Sequence, residues 1–167
     1  DTRKRVYNFE NSVKNDTAGR VASVKDEIAH VLSSKDKTGV IVDLLSSGEL
    51  PVRVTHNDTK LNNVMFDSDT KKAVCVVDLD TVMPGSALYD FGDAIRYGAN
   101  TGAEDEKDLS KVSLDIELYR QYVRGYMSKA AKSLTPKEVE LLPLSAWMMT
   151  FECGMRFLND YIDGDVY

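Results

Sequence analysis

Residues 55–63 read Thr-His-Asn-Asp-Thr-Lys-Leu-Asn-Asn, and a second polar motif, Val77-Asp78-Leu79-Asp80, follows a short apolar stretch. The chain between Asp58 and Asn63 must bend, so the two side chains can aim at one small volume. A hairpin between the motifs would return Asp78 beside them, with Lys60 lying between the first two. A few carboxylate and amide oxygens suit magnesium, which takes its remaining ligands from water and phosphate. The chemistry they fit is phosphoryl transfer, where a carboxylate orients the attacking hydroxyl and cations offset phosphate charge.

Other chemistries find less support. Only His30 and His56 are present, and Cys75 and Cys153 are far apart, which excludes a His/Cys zinc cage or a disulfide framework. Both thiols have apolar neighbours and are expected to pack in the core. Asp67-Ser68-Asp69 is not a calcium loop, because the sixth position is Lys72 and the twelfth Asp78; it reads as a hairpin turn. No Gly-x-Ser-x-Gly elbow exists for a hydrolase. The 21 Lys and Arg against 27 Asp and Glu give a net charge of -6, which argues against nucleic acid or an anionic membrane as partner. Apolar runs such as Gly39–Val42 and Ala146–Met149 are far shorter than the roughly 18–20 residues of a membrane span. The chain starts at Asp1 with no apolar leader, as expected of a segment of something longer.

The elements that would position the motifs follow from periodicity. Residues 2–34 carry Val6, Phe9 and Val13, then Val21, Val24, Ile28, Val31 and Leu32 at helical spacing, with a break at Asp16–Gly19. A third helix is expected over Thr38–Ser47, stopped by Gly48. Glu49–Asn63 has no period and reads as loop. Val64-Met65-Phe66 and Ala73–Leu79 alternate as a β-hairpin. After a turn at Pro84-Gly85, a helix is expected over Tyr89–Gly98, a solvated acidic loop over Asn100–Asp108, and an amphipathic helix over Ser113–Lys132. Thr135-Pro136-Lys137-Glu138 is a capping box, and Pro143 is expected to end or kink that helix before a last one at Leu144–Tyr161. The fold class expected is mainly α with a small β-hairpin. At 43% hydrophobic and 29% charged, 167 residues can bury roughly two-thirds of the unfolded surface.

His56-x-Asp58-x-x-x-x-Asn63 followed by Asp78-x-Asp80 resembles the catalytic loop and metal segment of the aminoglycoside phosphotransferase and choline kinase superfamily, relatives of the protein kinases. The resemblance implies Asp58 as catalytic base or hydroxyl-positioning residue, and Asn63 and Asp78 as magnesium ligands. Asp80 is implied for a second metal ion or for support of the first. By the same resemblance Lys60 meets the transferred phosphate and His56 supports the loop from behind. Asp90, in Leu88-Tyr89-Asp90-Phe91-Gly92-Asp93, matches the aspartate that braces the catalytic loop; the alternative is a carboxylate serving free N–H groups at its own helix start.

The longer phrases THNDTKLNNVMFD, VVDLDTVMPG, YDFGDAIRYGAN and TFECGMRFLNDYIDGDVY resemble the N-acetylhexosamine 1-kinases. This implies conversion of N-acetylglucosamine or N-acetylgalactosamine, with ATP and magnesium, to the sugar 1-phosphate. It also implies Arg156 as a sugar-binding residue, with Tyr167 and Tyr97 lining the same pocket. A salt-bridged Arg156 and a core Tyr97 are the alternatives. Nothing before Asn57 resembles the nucleotide lobe of that superfamily. The expectation is therefore a C-terminal lobe, residues 1–167, with helices over 2–47, the catalytic loop and metal hairpin over 54–81, and helices over 89–162. Its partners would be ATP, the sugar and an absent N-terminal lobe, in the cytoplasm. A kinase for an aminoglycoside, amino alcohol or thiosugar is an alternative, as is a non-catalytic kinase-like binding module.

Overall fold

A computed structural model describes residues 2–103 and 106–166. They divide into two compact units, Asp1–Glu49 with Thr150–Tyr167, and Leu50–Met149.

In the first unit, α1 (Thr2–Asn15) buries Thr2, Val6 and Phe9, α2 (Lys25–Ser34) buries Ile28 and Val31, and α3 (Val40–Ser46) buries Ile41. Val6, Phe9, Ile28, Val31 and Ile41 are positions the 3.6-residue period marks, whereas Thr2 is not one of them and Leu32, which it also marks, is exposed. Gly48 follows α3 at φ +79°, the left-handed geometry that ends a helix and that only glycine adopts without strain. The C-terminal residues of α6 (Pro136–Asp163) add Phe151, Met155 and Ile162 to the buried set. Polar ties reinforce this packing: Glu152 accepts from Thr2 Oγ1 at 2.6 Å and pairs with Arg5 at 3.1 Å. Arg20 donates to Asp165 at 2.6 Å and lies over the Tyr161 ring, 4.7 Å from its centroid.

The second unit contains the four strands found among the described residues. β2 (Val64–Phe66) and β3 (Ala73–Val76) form the expected antiparallel hairpin, with Val64 opposite Val76. Its turn is closed by Asp67, which accepts from Thr70 N and Oγ1, both at 2.7 Å. β3 is shorter than expected, because Asp78 takes a left-handed conformation and Leu79–Thr81 tightens into a 3-10 turn. Cys75 is exposed, contrary to the expected core position. A two-stranded ribbon has no second layer, and all four β3 residues face solvent.

The segment expected to be irregular holds β1 (Arg53–Thr55), which pairs antiparallel with β4 (Met83–Gly85). Pro84 is tolerated because this is a two-stranded pair, where a proline lacking its N–H need not interrupt a wider ladder. The pairing is close at one point: a Cβ on Gly85 would lie 2.6 Å from Thr55 Oγ1.

α4 (Ala87–Gly98) starts two residues before the expected Tyr89, at the fully buried cap Ser86, whose hydroxyl accepts from Leu88 N at 3.3 Å. Its apolar face buries Leu88, Phe91, Ala94 and Ile95. A Cβ on Gly92 would lie 2.3 Å from the Ser145 carbonyl oxygen, so α4 meets the α6 backbone directly there. α5 (Ile116–Ala130) begins at Asp115, which accepts from Glu117 N and Leu118 N at 2.9 and 3.0 Å. Part of its expected apolar stripe, Leu118 and Tyr122, remains more than a third exposed. Tyr122 and Tyr126 still reach the Phe91 ring, at centroid distances of 5.8 and 5.1 Å.

The capping box at α6 forms as expected: Thr135 N donates to Glu138 Oε2 at 2.7 Å and Glu138 N to Thr135 Oγ1 at 3.2 Å. Pro143 does not divide the helix, which runs unbroken to Asp163. Proline removes the bond to the carbonyl four residues earlier. Here both Pro143 and Val139 are exposed, so the carbonyl that loses this bond lies on the solvent side of the helix.

Candidate active site

The polar loop is suspended from α4. Asp90 Oδ2 accepts from His56 N at 2.9 Å and its Oδ1 from Asn57 N at 2.8 Å. One turn on, Asp93 Oδ2 accepts from Thr59 N at 2.9 Å, and Thr59 Oγ1 donates to the Asp90 carbonyl at 2.6 Å. Residues three apart on a helix share a face, so one rigid surface receives three amide groups of a segment with no regular ladder of its own. Asp93 is only 6% exposed, and Arg96 Nε donates to its other oxygen at 3.0 Å. A buried carboxylate without such a partner would be strongly disfavoured.

Asp58 projects from this suspended loop, partly open to solvent. Asn63 Nδ2 donates to its Oδ2 at 2.9 Å and to its main-chain oxygen at 2.8 Å, while Lys60 Nζ lies 3.3 Å from Oδ1. Asn63 is brought back by the 3-10 turn Leu61–Asn63, in which Asn63 N donates to Lys60 O at 2.9 Å. With Nδ2 committed to Asp58, the Asn63 Oδ1 is the atom left to serve a cation.

The returning hairpin places Asp78 next. Val77 N donates to Asn63 O at 2.9 Å, and His56 Nε2 meets Val77 O at 3.0 Å. That contact requires the proton on Nε2, since a carbonyl oxygen can only accept. His56 Nδ1 is buried and has no hydrogen-bond partner among the described residues. Thr81 Oγ1 donates to His56 O at 2.6 Å and Asn57 Nδ2 to Thr81 O at 3.0 Å, so Asp78 is flanked by ties to the loop. Asn57 and Asp78 both have positive φ, 63° and 60°. Such backbone stores on the order of 1–3 kcal/mol and persists where its surroundings over-determine it.

Among the described residues no three His, Cys, Asp or Glu side chains are grouped to hold a metal ion. Asp58 is instead neutralised by Lys60, and Asp80 sits exposed on the 3-10 turn. The donor set that remains, Asn63 Oδ1 and the Asp78 carboxylate, fits magnesium, which needs only one or two protein oxygens when phosphates supply others.

Tyr97 is half-buried on α4. Arg156 lies in the first unit, exposed on α6 and without an ion pair among the described residues. Tyr167 lies outside the described residues. Burial of Tyr122 is the main cause that pushes its hydroxyl up to about 12, with Tyr126, Asp90 and Asp93 adding to it. Asp93 and Thr59 are functional candidates that sequence reasoning passed over. The signal available was the Asp90/Asp93 spacing, which puts two acids on one face of α4.

Residues 3–128 match the phosphotransferase enzyme family, APH, and the chain belongs to that family. It is similar to ethanolamine kinase 2 of Mus musculus, with 28% identity over 127 residues, covering 71% of this chain. The same stretch covers 32% of that kinase, so the chain spans about a third of its relative's length.

Proposed function

We propose that this chain forms the catalytic lobe of an ATP-dependent kinase that phosphorylates the anomeric hydroxyl of N-acetylhexosamines, with the nucleotide lobe supplied by sequence beyond these 167 residues. The observation that carries the reading is Asp58, held by Asn63 and Lys60 on a loop fastened to α4 by Asp90.

In this reading the acceptor hydroxyl donates its hydrogen bond to Asp58, which aims the oxygen at the γ-phosphorus. As the new P–O bond forms, the bond to the β-phosphate oxygen breaks, ADP leaves with that electron pair, and Asp58 takes the hydroxyl proton and returns it to water. Lys60 offsets negative charge at the transferring group. Magnesium, held by Asn63 and Asp78 with Asp80 available to a second ion, would neutralise the ATP phosphates. Because the transition state makes little covalent demand on the protein, positioning and charge supply most of the rate.

The sugar acceptor is supported by the phrases over Val54–Phe66, Val76–Asn100 and Thr150–Tyr167. By the same resemblance Arg156, Tyr97 and Tyr167 are each proposed as sugar-binding residues: a guanidinium can donate two directed hydrogen bonds to sugar or acetamido oxygens, and a tyrosine ring can cover an apolar sugar face. ATP as cosubstrate favours the cytoplasm. A second reading, an amino-alcohol acceptor, is favoured by the similarity to the mouse ethanolamine kinase.

The test uses protein expressed from the complete coding sequence. An acceptor panel followed by phosphorus NMR should show a 1-phosphate on an N-acetylhexosamine, and Asp58→Asn should abolish sugar-dependent ADP release. Phosphoethanolamine as the sole product would replace the sugar reading. Ordinary turnover by Asp58→Asn would remove the assignment of Asp58, and tight binding of a protein partner without magnesium–nucleotide binding would favour a non-catalytic module.

A further inference from the structure

The peptide group joining Asp58 to Thr59 is gripped at both ends. Its carbonyl oxygen accepts from Asn63 Nδ2 at 2.8 Å, and its N–H donates to Asp93 Oδ2 at 2.9 Å. A peptide unit is planar. Fixing both its oxygen and its hydrogen therefore fixes the plane, and with it the ψ angle of Asp58 that sets where the carboxylate projects. Asp90 does a different task, holding the two amides before Asp58.

We propose that Asp93, oriented by Arg96, is a positioning residue that sets the aim of Asp58 through the Thr59 amide. The inference rests on the phosphotransfer reading of Asp58. Three features suit Asp93 to this task. It is nearly inaccessible, so water does not compete for its oxygens. Each oxygen has its own partner, Oδ1 with Arg96 and Oδ2 with Thr59, so the carboxylate cannot rotate without losing both. Its helix is also fixed at the preceding residue, where Gly92 meets the α6 backbone at Ser145. Loss of the Thr59 contact would release one end of the 58–59 peptide, leaving it to pivot about the Asn63 bond, with every side-chain partner of Asp58 in place. The effect should fall on the chemical step and not on binding.

The test is steady-state kinetics on protein from the complete coding sequence. Asp93→Asn presents an amide N–H₂ to Arg96 or to the Thr59 N–H and cannot satisfy both. It should lower kcat about 10- to 100-fold, the range a small misplacement costs, with KM for ATP and acceptor nearly unchanged. Adding Arg96→Gln lets the introduced asparagine amide donate to the introduced glutamine while its oxygen accepts from Thr59, so the double variant should recover most of the lost kcat. Ile95→Val, a core change on the same helix, serves as the stability control and should leave kcat unaltered.

An unchanged kcat in folded Asp93→Asn would overturn the proposal, as would a raised KM at constant kcat. An equal loss of kcat in Ile95→Val at a matched thermal midpoint would reduce Asp93 to a structural role. Should Asp93→Asn not fold, Arg96→Gln decides, since it frees the Asp93 carboxylate to turn: kcat should fall severalfold at constant KM, and no fall overturns the idea. Asp58→Asn run in parallel separates the two levels, because only its retention of activity would remove the phosphotransfer reading itself.

Discussion

Asn63 reaches back to Asp58 with a single nitrogen that meets both the carboxylate and the main-chain oxygen, at 2.9 and 2.8 Å. One amide therefore orients the side chain and the backbone of the same residue. Asn63→Asp would set two carboxylates against each other, a geometry in which one of the pair stays protonated. The acid limb of the pH–rate profile should then move to higher pH, and kcat should drop about 100-fold. Asn63→Leu should also drop kcat but move that limb less, because it removes the donor to Asp58 without adding a second charge. A pH–rate series on the three proteins checks both statements.

Asp90 satisfies two adjacent amides that no ladder serves. Asp90→Ala should lower unfolding free energy by about 2–4 kcal/mol, from hydrogen bonds to a charged group worth roughly 1.5–3 kcal/mol each with partial rescue by water. Urea unfolding measures the loss. Hydrogen exchange should show it concentrated at the His56 and Asn57 amides.

Arg53 grips the fully buried Glu138 through two bonds, Nε to Oε1 at 2.6 Å and an Nη2 contact to Oε2 at 2.8 Å. Burial raises the carboxyl, but hydrogen bonds from Arg53 and Thr135 outweigh it and hold Glu138 below its ordinary value of 4.5. A depressed native value means the unfolded chain binds the proton more readily. The stabilisation is therefore complete above about pH 4.5 and is lost as pH falls through the native value. The urea midpoint should be flat near neutrality and fall below about pH 4.5, and Glu138→Gln should flatten that acid slope. Arg53→Met should be the harsher change, at about 3–5 kcal/mol, because it strands a buried charge.

Gly85 and Thr55 touch across the β1/β4 pair, where an added Cβ would sit 2.6 Å from the Thr55 hydroxyl. That hydroxyl also donates to Met83 O at 2.9 Å, so it cannot swing aside freely. Gly85→Ala should cost about 1–3 kcal/mol. Combining it with Thr55→Ala should cost less than the sum of the two single changes, because the second creates the space the first requires. Thermal unfolding of the four proteins closes the cycle.

What the sequence makes legible here is what is local. The stripes Val6/Phe9 and Ile28/Val31, the Thr135–Glu138 box and the Asp67 turn each involve residues a few positions apart, and each forms as read. β1 and β4 escape notice because their partners are far apart in the chain, the strands are three residues long, and Pro84 points to a turn. Pro143 misleads because its penalty depends on whether the freed carbonyl meets water, which is a tertiary fact. In the site, Asp58 and Asn63 are readable from spacing, and Asp90 from the family resemblance of its helix start. Asp93 is not, since its reach to Thr59 depends on how α4 is turned against the loop.

The left-handed backbone of Asp78 bears on how such a protein could change over generations. Glycine is the residue most at ease at that φ. Asp78→Gly would thus remove the carboxylate while relaxing the chain, by about 1 kcal/mol on the scale of left-handed strain. Alanine at the same place would remove the carboxylate and keep the strain. A single codon step from aspartate to glycine is therefore a route to a scaffold that folds as well as before without that carboxylate, so on the proposed reading of Asp78 a loss of cation binding by this step would leave little trace in stability.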